Sequence, residues 1–294
     1  MAGSRAILVP HGGAARLAEA LTADGVVNQP LVFRVAAWLT RGQGTLHAAE
    51  FAFPAHASVR QVLAVLRFAH PVEHRLTIAE GLTAQQIVGV LAHADVMTGD
   101  VRTIPEGSVL PQTYDYEYGA DRAGIVFRAK AAMDKDLAAA WADRAPGLPL
   151  SSPRDALILA SIVERETAKP EERPHVAAVY LNRLRLGMRL QADPTVIYAA
   201  SNGSGVLDHP LTRADLGRQD PFNTYRSVGL PPAPICSPSL DSLHAVLHPA
   251  ASDDLYFVAD GTGGHVFSRS YAAHDTAVAK WRALASPASR GSPD

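Results

Sequence analysis

The chain has 294 residues, of which 47% are apolar and 19% are charged, and its formal net charge is −2. This composition suits a folded protein with a substantial core. It excludes a disordered chain and the basic surface of a general nucleic-acid binder. The one cysteine excludes an internal disulfide framework and a multi-cysteine metal site. No apolar run approaches the roughly 20 residues of a membrane helix, so we expect a chain without a membrane anchor.

The first part of the chain is predicted to form a small unit of short strands and helices. Apolar residues at helical spacing indicate three helices, which begin near Gly13, Pro30 and Val59. Ser58 precedes the third helix as its N-cap, and Ala48–Phe53 alternates like a strand. The pattern changes near His70, and we therefore assign a first domain to residues 1–72.

The remainder, residues 73–290, is predicted to form a larger domain that mixes helices and strands. Strands are predicted at 73–79, around Tyr114–Tyr118, and as a hairpin over 255–259 and 265–267. Helices are predicted at 84–94, 123–144, 156–167, 174–187 and 271–285, and short ones begin at Asp193-Pro194 and Ser237-Pro238. The Pro-rich segment 219–238 is expected to be irregular. The fold class is therefore α+β.

Two acidic residues at the end of one predicted helix are the main candidates for chemistry. Glu164 and Glu166 are separated by two positions, which places them about 200° apart around a helix, so they cannot share one cleft. Glu166 continues the apolar stripe of Ala156, Leu159 and Val163, and partial burial there would raise its pKa and suit a general acid. The alternative is a buried salt bridge from Glu166 to a nearby arginine such as Arg173 or Arg183.

Glu164 lies on a different face of this helix, where a structural ion pair is the plainer expectation. Polar groups that suit a sugar follow the helix at Asn182, Arg183, Arg189, Gln191 and Asp193, and again at Asn223, Thr224 and Tyr225 in the Pro-rich segment. Amide, hydroxyl and aromatic groups together favour a carbohydrate ligand, although loops are commonly polar in any case.

A metal site is not predicted. His244 and His248 are four residues apart on a helix, but no His-Glu-x-x-His pattern and no third ligand accompany them. We therefore expect neither a metal nor another cofactor.

Several sequence blocks resemble the YceG-like family of endolytic murein transglycosylases, often called MltG. The blocks are Leu159–Thr167, Glu172-Arg173, Val179–Arg183, Gly187–Gln191, Asp193–Tyr198, Asn223–Tyr225, Gly229–Pro232 and Leu255–Val258. Their order and spacing make the resemblance specific, and it extends over about Arg75 to Trp281. Near the C-terminus, Ala273-His274-Asp275 departs from the Glu-His-Asn of the family.

The resemblance implies a LysM-like subdomain at 1–72 and a YceG-like catalytic domain at 73–290. It also implies a lytic transglycosylase, a lyase that cleaves the MurNAc–GlcNAc β-1,4 bond of nascent peptidoglycan and ends glycan strand elongation. The second Glu of the Glu-x-Glu-Thr block is then catalytic, and this residue is Glu166. The candidate substrate-binding residues are Asn182, Gln191, Asp193, Thr195, Tyr198, Asn223 and Tyr225.

The expected partners are peptidoglycan strands and the synthases at the inner membrane that make them, with no nucleic acid. The expected location is the bacterial inner membrane with the catalytic domain in the periplasm, although the anchor that relatives carry is not present in this chain. Two alternatives stay open, namely a muramidase that hydrolyses the same bond and a non-catalytic peptidoglycan-binding or scaffold protein.

Overall fold

The computed structural model describes residues 4–285. Within them the helices are α1 Ala14–Ala23, α2 Pro30–Leu39, α3 Val59–Phe68, α4 Ala84–Ala92, α5 Arg122–Ala142, α6 Pro153–Glu166, α7 Arg173–Arg185, α8 Asp193–Ala200, α9 Arg213–Gly217, α10 Leu240–Leu247 and α11 Tyr271–Ala285. The strands are β1 Arg5–Leu8, β2 Glu50–Phe53, β3 Glu73–Thr77, β4 Thr113–Glu117, β5 Tyr256–Ala259 and β6 His265–Ser268. They form three two-stranded sheets, β1-β2, β3-β4 and β5-β6. The predicted mixture of helices and strands is confirmed.

The chain divides into two compact units. Unit 1 comprises Met1–Leu76 together with two later segments, Ala94–Gly99 and Thr113–Arg122. Unit 2 comprises Thr77–His93, Asp100–Gln112 and Ala123–Asp294.

Unit 1 has its own apolar core between the β1-β2 sheet and the helices α1–α3. The two strands are antiparallel, with Ile7 opposite Phe51, and both side chains are buried. The capping box predicted in part by Ser58 is complete, because the Ser58 hydroxyl accepts the amide of Gln61 while the Gln61 side chain accepts the amide of Ser58. Strand β1 was not predicted, because four residues are too few to show a period.

Unit 2 is built around α6, α7 and α10, which pack against one another. Helix α6 begins with Ser152 as its N-cap and Pro153 in its first turn, and its eight residues Ala156–Val163 are all buried. A helix that is apolar on every side must be covered on every side, so α6 forms the centre of this core. Leu148 and Leu150, in the Pro-rich stretch before α6, pack against the same core.

Two predicted helix starts are wrong by one or two residues. Helix α8 has Ala192 as its N-cap, and Asp193 lies inside the first turn, where its side chain accepts a hydrogen bond from Tyr225. Helix α10 begins after Ser239 rather than Ser237, because the Ser239 hydroxyl accepts the amide of Ser242. A serine or aspartate before a proline indicates a helix start, but long-range partners decide which residue caps it.

The C-terminal elements agree with their predictions. Strands β5 and β6 pair in antiparallel fashion with Phe257 opposite Phe267, and the segment 218–239 has no helix or strand. Among residues 4–285, no helix is both long enough and apolar enough to span a bilayer.

Candidate active site

A pocket of about 330 Å³ in unit 2 brings together four of the eight site residues that the sequence singled out. It lies where the end of α6 meets α7, the start of α8, the hairpin β5-β6 and helix α11. Its lining residues are Glu166, Tyr180, Arg183, Leu190, Gln191, Asp193, Tyr225, Phe257, Val258, Ala259, His265 and Trp281.

Glu166 is the last residue of α6 and faces this pocket from a largely enclosed position. Its Oε2 atom is inaccessible to solvent and forms no hydrogen bond to any described residue. Burial raises the pKa of Glu166 to about 8, and the negative charge of Asp193 adds to the increase. The Tyr180 hydroxyl and the Arg183 guanidinium oppose the increase without cancelling it. The carboxyl is therefore mainly protonated at neutral pH, which is the state a general acid requires.

The predicted alternative for Glu166, a buried salt bridge, is not found among the described residues. Arg173 instead lies 3.5 Å from Glu164, and Arg183 donates to backbone carbonyls and to the Gln191 side chain. Glu164 also accepts hydrogen bonds from the backbone amide and the hydroxyl of Ser239. The expectation of a structural ion pair at Glu164 is confirmed.

Tyr180 and Arg183 form the floor of the pocket on α7. The Tyr180 hydroxyl is enclosed and makes no hydrogen bond of ordinary geometry to a described residue, and its pKa is raised well above the usual value by burial and by the Glu166 charge. The Arg183 Nε atom donates to the carbonyl of Leu255 at 2.6 Å, and Nη1 donates to the carbonyl of Leu190 at 2.7 Å. Arg183 therefore connects both walls of the pocket to α7.

Gln191, Asp193 and Tyr225 lie together on one side of the pocket. The Tyr225 hydroxyl donates to Asp193 Oδ1 at 2.6 Å, and the Gln191 side-chain oxygen accepts from Arg183 Nη1 at 3.2 Å. Gln191 has a backbone φ of 54°, a left-handed conformation that is uncommon for residues other than glycine. Strained backbone of this kind persists where surrounding contacts fix it and is concentrated at functional sites.

The hairpin β5-β6 forms the opposite side of the pocket. Contacts to α7 and to the turn Pro170–Glu172, which precedes α7, hold the hairpin in position. The backbone amide and Nδ1 of His265 bond to the two carboxylate oxygens of Glu172 at 3.0 and 2.6 Å. His175 lies 2.8 Å from Asp254 and stacks on Phe267 with ring centroids 3.6 Å apart. These contacts fix the position of the pocket wall.

The other four predicted binding residues do not line this pocket, and each uses its polar group within the protein. The Asn182 amide donates to the carbonyls of Ser252 and Asp254 at the base of the hairpin. The Thr195 hydroxyl donates to the carbonyl of Ala192, and the Tyr198 hydroxyl donates to Glu106.

Asn223 is fully buried, and its Nδ2 atom lies 2.8 Å from the carbonyl of Arg218. Its Oδ1 atom accepts the backbone amide of Tyr225 at 3.0 Å. Asn223 therefore positions the pocket residue Tyr225 and has no free group of its own to offer.

Several pocket residues were not identified as site residues from the sequence. Tyr180 is one of them. It lies three residues before Arg183 on the same face of α7, and a hydroxyl beside a cation on an otherwise apolar stripe could have indicated it. No comparable signal exists for Phe257, His265 or Trp281, because the sequence does not show which elements pack together. Within residues 4–285, no three His, Cys, Asp or Glu side chains are grouped in a way that could hold a metal ion.

The sequence profile of the YceG-like family matches residues 7–280. The chain belongs to this family. Two curated relatives, both named endolytic murein transglycosylase, are similar to it in sequence. The protein of Streptococcus pneumoniae is 35% identical over 60% of this YceG-like chain and 32% of its own length. The protein of Bacillus subtilis is 32% identical over 64% of the chain and 51% of its own length.

This YceG-like chain thus spans between a third and a half of the length of these curated relatives. A crystal structure of a yceG-like protein from Listeria monocytogenes is similar in fold, with a TM-score of 0.57 and 26% identity. That alignment covers 94% of this chain and 99% of the Listeria chain. The similarity therefore extends over both units of the molecule.

Proposed function

We propose that this chain contains the active site of an endolytic lytic transglycosylase that cleaves the MurNAc–GlcNAc β-1,4 bond within peptidoglycan strands. Membership of the YceG-like family and the names of the two curated relatives support this activity. The single observation that carries it is the carboxyl of Glu166, which faces a pocket, has an enclosed oxygen without a partner and has a pKa of about 8.

In the proposed reaction, Glu166 first acts as an acid. Its proton moves to the glycosidic oxygen while the bond from that oxygen to C1 of MurNAc breaks, and the GlcNAc end leaves as an alcohol. The Glu166 carboxylate then takes the proton of the C6 hydroxyl of the same MurNAc as that oxygen bonds to C1. The product is a 1,6-anhydro ring, the proton returns to Glu166, and no water is consumed. A well-placed acid and base contributes roughly 10²–10⁴-fold to such a reaction.

The remaining pocket groups suit the positive charge that develops at C1. Asp193 supplies a negative charge in the same pocket, and its hydrogen bond from Tyr225 fixes its orientation. We propose that Asp193 stabilises the oxocarbenium-like state and that Gln191 and Tyr225 contact the sugar. Arg183 is a positioning residue, because its Nε and Nη1 donors are directed to protein oxygens.

A second candidate function is hydrolysis of the same bond by a muramidase. Asp193 favours it, because glycoside hydrolases use a pair of carboxylic groups and Asp193 is a second one beside Glu166. In that reaction Asp193 would act as a nucleophile or would activate water, and the product would have a reducing end.

The test is mass spectrometry of fragments that the purified chain produces from glycan strands. We expect 1,6-anhydroMurNAc ends from the wild type and no detectable cleavage by Glu166→Gln, which cannot donate and recover a proton. The matched control is Glu171→Gln, an exposed glutamate beyond the end of α6. Reducing ends would replace the transglycosylase with the muramidase. Full cleavage by Glu166→Gln would show that another group is the acid, and no cleavage by the wild type would favour a non-catalytic wall-binding protein.

We propose further that unit 1 is LysM-like and adds affinity for glycan. The expected result is protection of residues 5–76 from hydrogen exchange when glycan strands bind the Glu166→Gln chain. Protection confined to unit 2 would contradict it. We also propose that the active site works in the periplasm beside the inner membrane, with the peptidoglycan synthases as its partners, because the proposed substrate belongs to the cell envelope.

A further inference from the structure

Helix α2 in unit 1 is apolar on the side that faces solvent as well as on the side that faces the core. Phe33 and Ala37 point inward and are buried. On the opposite side Leu31, Val35 and Trp38 are 67%, 49% and 62% exposed. A helix at the surface of a protein in water normally has a polar outer face, so this face requires a partner.

The apolar surface continues from α2 onto α3. Val32 of α2 and Phe68 of α3 both line a groove of about 490 Å³ between the two helices, and Phe68 is 66% exposed. We call this surface the α2 face. Its exposed apolar members are Leu31, Val32, Val35, Trp38, Leu39 and Phe68.

The segments that form the α2 face carry almost only positive charge. Residues 25–49 and 51–72 contain no aspartate or glutamate. Glu50, which separates the two stretches, is only partly exposed and lies 2.6 Å from His74. Arg34, Arg41 and Arg60 are all exposed in this part of unit 1.

Two of the basic side chains in this region have defined positions. The guanidinium of Arg41 lies over the ring of Trp38, 4.7 Å from its centroid, so the exposed aromatic ring and a positive charge are adjacent. Arg67 is buried, and it donates to the carbonyl of Gly44 and to the Thr40 hydroxyl. Arg67 therefore holds the chain beyond α2 in place. Arg41 donates one hydrogen bond, to the carbonyl of Trp38 at 3.0 Å, and is exposed like Arg34 and Arg60.

We propose that the α2 face docks onto the surface of an anionic phospholipid bilayer. A helix with leucine, valine and tryptophan on its outer side inserts these side chains at the boundary between headgroups and acyl chains. Arginines around that side match the negative charge of phosphate headgroups. The uniform sign of the charge favours lipid over a protein partner, because a protein interface combines an apolar centre with a rim of mixed polar groups.

The experiment is co-sedimentation of the whole chain with vesicles. We expect binding to vesicles of phosphatidylglycerol and phosphatidylcholine in equal parts, weaker binding to pure phosphatidylcholine, and weakening by added salt. Replacing Leu31 and Trp38 together with serine removes apolar surface and should reduce partitioning by about tenfold or more. The matched control is Phe127→Ser, which removes a side chain that is 75% exposed on α5 in unit 2 and should leave binding unchanged.

Fluorescence gives a second measurement that does not depend on a destabilising change. The chain has three tryptophans, so quenching by brominated lipids is compared between the wild type and Trp38→Phe. We expect the quenchable signal to be lost in Trp38→Phe, because Trp38 is the tryptophan that enters the bilayer.

Three results would overturn the proposal. The first is the absence of binding to anionic vesicles, and the second is binding that the Leu31 and Trp38 double substitution leaves intact. The third is a chain that binds no vesicles and forms a concentration-dependent dimer in sedimentation velocity, with the dimer lost in the double substitution. That result would assign the α2 face to a second copy of the chain.

Discussion

Two glutamates at the end of α6 have opposite surroundings although one residue separates them. Glu164 has a side chain only 6% exposed, and Arg173 and Ser239 supply a positive charge and two hydrogen bonds to it. Glu166 is enclosed as well, but its Oε2 atom has no hydrogen-bond partner among the described residues and its pKa is about 8. Both carboxyls are enclosed, so burial alone does not define a catalytic acid. At Glu166, burial and then the Asp193 charge raise the pKa, and no described cation forms an ion pair with it as Arg173 does with Glu164.

The largest expected effect on stability concerns Glu164. Replacing it with alanine leaves the buried Arg173 without its nearest carboxylate, and breaking a buried pair costs about 3–5 kcal/mol. Denaturant unfolding at pH 7 measures this loss. The exposed Glu171→Ala substitution serves as the control and should change the free energy of unfolding little. If Glu164→Ala loses no more stability than the control, Glu164 does not stabilise the fold through Arg173.

The second prediction concerns the stability of the wild type as a function of pH. The folded Glu166 keeps its proton up to about pH 8, whereas the unfolded residue loses it near its ordinary value of 4.5. The unfolded state thus binds fewer protons, so the free energy of unfolding falls as pH rises above 4.5 and levels off above 8. At pH 7 the loss is about 3 kcal/mol, from 1.36 kcal/mol per pKa unit.

The Glu166→Gln variant isolates this contribution, because all other titrating groups stay the same. Its free energy of unfolding should exceed that of the wild type increasingly between pH 5 and 8, as measured by thermal or denaturant unfolding across that range. Parallel curves for the two proteins would show that the pKa of Glu166 is not raised.

The smallest effect is the one that Asp193 has on the pH dependence of cleavage, because its negative charge raises the pKa of Glu166 less than burial does. In Asp193→Asn this contribution is absent, so the pKa of Glu166 is lower. The cleavage rate should then begin to fall at a lower pH than in the wild type. Asp193 is exposed, and added salt should produce part of the same movement in the wild type through screening. If the cleavage rate of Asp193→Asn instead begins to fall at a higher pH, the Asp193 charge does not raise the pKa of Glu166.

The sequence allowed part of this arrangement to be predicted. The stripe of Ala156, Leu159 and Val163 placed Glu166 on a buried face and Glu164 on another, because helical periodicity determines which residues share a side. The hairpin near Gly261 was also predictable, since its turn chemistry is local. Both features depend only on residues that are close in sequence.

What could not be predicted depends on distant contacts. Asn223 looked like a binding residue, but its amide is enclosed by backbone carbonyls that fold around it. Nothing near His265 in the sequence shows that it meets Glu172 or that it faces Glu166 across a pocket. Likewise, the strand pattern of 113–117 does not show that this segment belongs with unit 1.

The pocket combines parts of the chain that are made at different times. Glu166 leaves the ribosome well before the hairpin β5-β6 and Trp281, which form the facing wall. During synthesis the acid therefore exists for a period without the surface that encloses it. Burial is what raises the pKa of Glu166, so this carboxyl acquires its folded-state pKa only after the C-terminal part has emerged and folded back.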